Sequence, residues 1–175
     1  AAHAVGVVHR DLKPDNVIIT RGKKGEPLLK LLDFGIAKLK VTGQLDRGLT
    51  RPGIIMGTPE YMAPEQAYSA DTVDARADIF SLGVMTFEML AGRRPVGGDE
   101  PHQIATAYLT RNIAKLLDLA PHVPAELAAA VHRAMGPKPE DRFDSVAEFR
   151  AALEPFWLAT RPAAIISPPF QMPRS

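Results

Sequence analysis

Four residues near the start of the chain carry side chains that could do chemistry together: Asp11, Lys13, Asn16 and Asp33. Asn16 immediately precedes a β-branched run, Val17-Ile18-Ile19-Thr20, that reads as a short strand. Asp33 immediately follows a second candidate strand, Leu28 to Leu32, and the stretch between the two strands holds two glycines and a proline, the composition of a turn. Antiparallel pairing would set the start of one strand beside the end of the other, with neighbouring strands ~4.8 Å apart. An amide and a carboxylate would then converge on one spot. Such oxygen donors suit a hard cation such as Mg²⁺, which is commonly held by one or two protein oxygens plus phosphate oxygens. Asp11 lies in the preceding loop, within reach of a group held at that ion, and Lys13 adds a cation beside it. The set is suited to phosphoryl transfer.

The elements that must position these groups follow from pattern. Residues 1–8 read as the end of a helix with a turn at Gly6. Residues 33–70 read as long, irregular and rich in Gly, Pro and Thr, the kind of segment that is functional or disordered. From about Asp74 to Ala91 the pattern is helical, stopped by Gly92 with Pro95 beyond. Ile79, Phe80, Leu82, Val84, Met85, Phe87, Met89 and Leu90 leave this helix almost no polar face, which places it in the middle of a core. Further helices are predicted at about 101–111, 124–135 and 145–154, the last opening with Ser145 and Glu148 at capping-box spacing. Pro155, Pro162, Pro168, Pro169 and Pro173 mark residues 155–175 as a linker or disordered tail.

Composition limits the alternatives. The formal net charge of +1 gives no overall electrostatic case for nucleic acid or an anionic membrane. With no cysteine, there is no disulfide framework and no thiolate metal site. No apolar run approaches the ~20 residues needed to cross a bilayer, and no secretory signal is visible. His102, His122 and His132 have no metal-ligand spacing. Tyr61, Phe143 and Trp157 read as packing residues.

Three motifs add a resemblance. His9-Arg10-Asp11-Leu12-Lys13-Pro14-Asp15-Asn16 resembles the catalytic loop of eukaryotic-type serine/threonine protein kinases. Asp33-Phe34-Gly35 is similar to that family's metal-binding tripeptide, and Gly57 to Glu65 to the end of its activation segment. The wording and the Ala-rich helices look like the bacterial branch. The resemblance covers residues 1–154 and implies a protein-kinase-like fold, mainly α with a short β-hairpin, of which only the large lobe is here. It implies ATP and Mg²⁺ as cofactors and a protein Ser/Thr hydroxyl as acceptor. Asp11 would take or orient the hydroxyl proton, Lys13 would neutralise the moving phosphoryl group, and Asn16 and Asp33 would hold the metal. Thr58 would shape the substrate groove. His9, Phe34 and Gly35 would support the site, with His9 and Phe34 as packing residues. Arg10 would pair with a phosphate on the activation loop. That loop carries Lys38, Lys40, Arg47 and Arg51 against Asp46 alone, and Thr50, then Thr42, are its expected phosphorylation sites. Glu65 and Arg142 would form a buried ion pair, and Asp78 would accept catalytic-loop N–H groups from within the apolar helix.

Three parts of a complete kinase are not in this sequence: a Gly-rich phosphate loop, a strand lysine in a Val-Ala-x-Lys context, and a helix glutamate to pair with it. The first residues read as mid-protein. The expectation is therefore a kinase lobe that needs its missing small lobe as partner and is inactive alone. The setting would be cytoplasmic, with any membrane anchor of the parent outside this chain. Two alternatives stay open: a non-catalytic scaffold built on the lobe, and a small-molecule phosphotransferase, against which Lys13 and Ala63-Pro64-Glu65 speak.

Overall fold

The computed structural model describes residues 2–33, 59–68 and 73–159. Phe34, Gly35, Thr42, Thr50 and Thr58 lie outside them.

Two strands, β1 (Val17–Arg21) and β2 (Pro27–Leu31), form an antiparallel hairpin. Its register pairs Val17 with Leu31 and Arg21 with Pro27. The turn closes by Gly22 N–H donating to the Glu26 carbonyl at 2.8 Å. Gly25 takes a φ of 82°, which a side chain would strain. One face of the ribbon exposes the cross-strand partners Ile19, 73%, and Leu29, 66%; the other exposes Ile18 and Leu28 beside Thr20 and Lys30.

Six helices follow among the described residues: α1 (Pro64–Tyr68), α2 (Arg76–Ala91), α3 (Pro101–Leu109), α4 (Leu116–Leu119), α5 (Ala125–Ala134) and α6 (Val146–Ala159). The long apolar helix sits at the centre, as its composition requires. On α2, Ile79, Phe80, Val84 and Phe87 are wholly buried. One side of α2 packs with Ile104 and Tyr108 of α3, Leu116 of α4 and Val131 of α5. The other side contributes Ile79 to a smaller cluster with Ala134, Phe143 and Phe149. Gly83 lets α2 and α5 approach closely; a Cβ there would lie 2.9 Å from Ala134 Cβ and from Met135 Cγ.

Helix ends obey local chemistry. Asp74 accepts the Arg76 N–H at 2.8 Å and starts α2, while Gly92, at φ 71°, returns its N–H to the Glu88 carbonyl at 2.8 Å. At α6, Ser145 Oγ accepts the Glu148 N–H at 3.2 Å.

Four details differ from the expectations. Where residues 1–8 read as the end of a helix, the described residues 2–8 hold a single 3₁₀ turn, His3–Val5, before Gly6. The segment read as irregular contains a 3₁₀ turn, Pro59–Tyr61, and the short helix α1. The tail does not begin at 155, because α6 runs through Pro155 to Ala159. Ala151 and Pro155 both lie on the exposed side, where the carbonyl that proline leaves unbonded can be hydrated. Trp157, read as a packing residue, is 61% exposed, because the last turns of α6 extend beyond the second cluster.

Candidate active site

The site is built outward from a buried carboxylate. Asp78, 2% exposed on the first turn of α2, accepts three hydrogen bonds. His9 N–H donates at 2.9 Å, Arg10 N–H at 2.8 Å and His3 Nε2 at 2.7 Å. A carboxylate can be buried here because all three donors converge on it. In return it holds Arg10 in a left-handed backbone conformation, φ 65°, that a non-glycine residue rarely adopts. Gln66 holds the other side of the same residue, its Nε2 donating to the Arg10 carbonyl at 2.9 Å.

Beyond this clamp the loop turns through Pro14–Asn16 into β1. Asn16 is 6% exposed, and its Nδ2 donates to the Asp11 carbonyl at 2.8 Å and reaches Asp11 Oδ2 at 3.4 Å. With nitrogen turned to Asp11, the amide oxygen is the atom left to serve a cation. Lys13 Nζ stands 3.8 Å from Asp11 Oδ2, and both side chains are about one-fifth exposed. Loop residues Asp11, Lys13 and Asn16 therefore form one partly open polar cluster.

The second strand delivers Asp33 to the same end of the hairpin. Leu32 N–H donates to the Asn16 carbonyl at 2.9 Å, extending the ladder by one pair. His9 Nε2 donates to the Leu32 carbonyl at 3.0 Å. His9 is thus buried, as packing required, and is also a polar tie between the loop and the end of β2. Asp33 comes next with φ 47°, which takes the chain out of the strand directly after the residue paired with Asn16. Carboxylate and amide oxygens at neighbouring strand ends fit a hard divalent cation that keeps phosphate oxygens and water as its other ligands. Among the described residues no group of three or more His, Asp or Glu could hold a metal by itself.

Away from this cluster, Arg142 anchors α1. Its guanidinium, fully buried, meets both Glu65 carboxylate oxygens at 2.7 Å. It also donates to the carbonyls of Gly136 at 2.8 Å and Arg76 at 3.0 Å and lies over the Phe80 ring. The Pro59–Tyr61 turn carries a second polar group. Arg94 pairs with Glu60, and Tyr61 Oη donates to Glu88 at 2.5 Å. Burial and the Glu88 contact push the Tyr61 hydroxyl pKa up; burial chiefly raises that of Tyr108. Burial also works to raise Glu60, but its own backbone N–H and Arg94 outweigh that and hold the carboxyl below its ordinary value.

Sequence reasoning missed His3, Gln66, Glu60–Arg94 and Tyr61–Glu88. Their partners are 27 to 75 residues distant in the chain. No local spacing marks them.

A family profile described as the protein kinase domain matches residues 1–152. The serine/threonine-protein kinase Pkn1 of Myxococcus xanthus is 46% identical over 88% of this chain and 22% of its own length. PknB of Mycolicibacterium smegmatis is 37% identical over 87% of this chain and 23% of its own. The chain thus spans less than a quarter of these curated relatives. The crystal structure of the Mycobacterium tuberculosis PknI kinase domain superposes with a TM-score of 0.58 at 30% identity, covering 87% of this chain and 48% of that one.

Proposed function

This chain belongs to the protein kinase family, among bacterial serine/threonine kinases, and we propose that the protein containing it moves the γ-phosphoryl group of ATP to Ser and Thr hydroxyls of other proteins. The observation that carries this reading is the Asp11–Lys13–Asn16 cluster, set at the end of the hairpin from which Asp33 emerges.

The steps follow from the side chains. The acceptor hydroxyl donates its proton toward Asp11 as its oxygen bonds to the γ-phosphorus; the bond to the β–γ bridging oxygen breaks and ADP leaves. Lys13, beside Asp11, offsets negative charge on the phosphoryl oxygens. Mg²⁺, when bound by Asn16 and Asp33, would neutralise phosphate charge and orient the nucleotide. Asn16 also fixes Asp11 through its amide hydrogen. Phe34 and Gly35 would complete the metal tripeptide, and Thr58 would border the acceptor groove. Phosphate on Thr50, or secondarily Thr42, would meet Arg10 and order the activation segment. Positioning supplies most of the catalysis in this chemistry. Residues 1–175 alone, without a Gly-rich loop and its lysine, should therefore transfer phosphate negligibly. The small lobe of the same protein is the partner they require, and a reaction consuming ATP belongs in the cytoplasm. No helix among the described residues is long and apolar enough to cross a membrane.

The test uses the full-length protein with Mg²⁺, radiolabelled ATP and a generic Ser/Thr acceptor protein. Asp11→Asn should lower transfer ~10²–10⁴-fold with no loss of thermal stability. Label confined to small-molecule acceptors, or an Asp11→Asn variant of full activity, would refute the reading.

A further inference from the structure

The clamp on Arg10 contains a residue that no motif assigns. We propose that Gln66 is a positioning residue for Asp11, coupling the seating of α1 to the aim of the catalytic carboxylate. This rests on the function proposed above.

Both atoms of the Gln66 amide are committed to backbone. Nε2 donates to the Arg10 carbonyl at 2.9 Å, and Oε1 accepts the Ala63 N–H at 3.1 Å. A carbonyl can only accept and an N–H can only donate, so the amide has one possible orientation. The Arg10 carbonyl belongs to the peptide plane that joins Arg10 to Asp11. Asp78 fixes the N–H on the near side of Arg10; Gln66 fixes the plane on its far side. Between the two contacts Arg10 sits at φ 65°, a conformation that does not hold itself. Rotation of that plane would swing Asp11 away from Asn16 and Lys13.

Gln66 is in turn held by its neighbour in sequence. Glu65 is locked to the buried Arg142, so α1 has a fixed seat on the helical core. A continuous chain of contacts runs from Arg142 through Glu65 and Gln66 to the peptide preceding Asp11. Asp11 is then correctly aimed only when α1, at the end of the activation segment, is seated. A glutamine serves here because one side chain must give a donor to one loop and an acceptor to the other; a carboxylate or an alkyl chain does not.

Two substitutions in the full-length kinase test this. Gln66→Met keeps the bulk and removes both bonds. Gln66→Glu keeps the acceptor for Ala63 and loses the donor to Arg10. Each should lower kcat by ~10- to 100-fold, the scale of a small misplacement of a reacting group. KM for ATP should stay within about twofold. Hydrogen exchange of peptides covering residues 9–16 should accelerate in Gln66→Met. A Gln66→Met enzyme with wild-type kcat and unchanged exchange, or a Gln66→Glu enzyme with wild-type kcat, would overturn the proposal. Should the parent protein transfer no phosphate, the kinase reading fails, and the exchange comparison still decides whether Gln66 holds the loop.

Discussion

Asp78 shows how a single residue can set a loop conformation that the loop would not choose. Its two oxygens take two backbone N–H groups and an imidazole nitrogen, at 2.7 to 2.9 Å. Replacing it with Asn removes the charge and leaves one oxygen to serve three donors. At least one backbone N–H is then buried without a partner. Hydrogen bonds to a charged group are worth about 1.5–3 kcal/mol each, so Asp78→Asn should cost about 2–4 kcal/mol in urea unfolding. Release of Arg10 from its left-handed conformation recovers only part of that. A variant as stable as wild type would mean that the loop, not Asp78, dictates the conformation. At this scale the sequence was legible only where chemistry is local. Asp11, Lys13 and Asn16 lie within six residues, so spacing alone suggested the cluster. Asp78 was suspect because a carboxylate in an apolar helix needs donors, yet its donors came from the family resemblance. Gln66 and His3 carried no signal, because their partners are 56 and 75 residues away.

At the scale of elements, α1 and α2 are held by contrasting devices. Arg142 ties α1 to the core through a paired, hydrogen-bonded buried charge. Arg142→Ala would leave the Glu65 carboxylate facing a cavity and orphan the carbonyls of Gly136 and Arg76. The expected loss is about 3–5 kcal/mol, the usual cost of breaking a buried pair. Glu65→Ala should cost less, because the guanidinium keeps its carbonyl acceptors; reversal of that order in denaturant midpoints would count against the geometry. The α2–α5 contact depends instead on the absence of a side chain. A Cβ at Gly83 meets Ala134 Cβ, which cannot rotate away, so Gly83→Ala should cost about 1–3 kcal/mol by overpacking. That matches or outweighs the ~1 kcal/mol that alanine gains over glycine in a helix interior, and the net sign is readable by thermal melting. The long helices were legible because apolar runs and Gly92 are local signals. The short α1 and α4 were not: one helical turn gives too few periods to stand out. The end of α6 was misplaced because proline stops a helix reliably only where its lost carbonyl bond cannot be replaced by water.

Across the whole molecule, the described residues divide into a helical core sealed on itself and a hairpin that is not. Ile18, Ile19, Leu28, Leu29, Leu31 and Leu32 are all more than a third exposed. A net charge of +1 supplies little repulsion to keep such a surface dispersed. The core, by contrast, carries few groups that titrate, which makes its pH response simple to assign. His132 on α5 accepts the Leu116 N–H through Nε2 at 3.0 Å and packs edge-on to Phe87. Burial holds its pKa below the ordinary 6.5. Between the folded and unfolded values the unfolded chain binds more protons, so stability rises with pH there. The His132 contribution should be complete above about pH 6.5 and decline as pH falls from there through the depressed value. Glu60 has the same sign, because its pKa is also lowered, but its window lies below the ordinary carboxyl value of 4.5. A melting series from pH 8 to about 3 should therefore show two separate losses, the lower one shared with Asp74, whose carboxyl Arg76 also holds below its ordinary value. His132→Gln retains an acceptor for Leu116 and cannot titrate, so it should flatten the upper loss and leave the lower one. Glu60→Gln should shrink the lower loss and leave the upper one. An upper loss that survives His132→Gln would assign it elsewhere, and the α4–α5 junction would then not be where acid first opens the core.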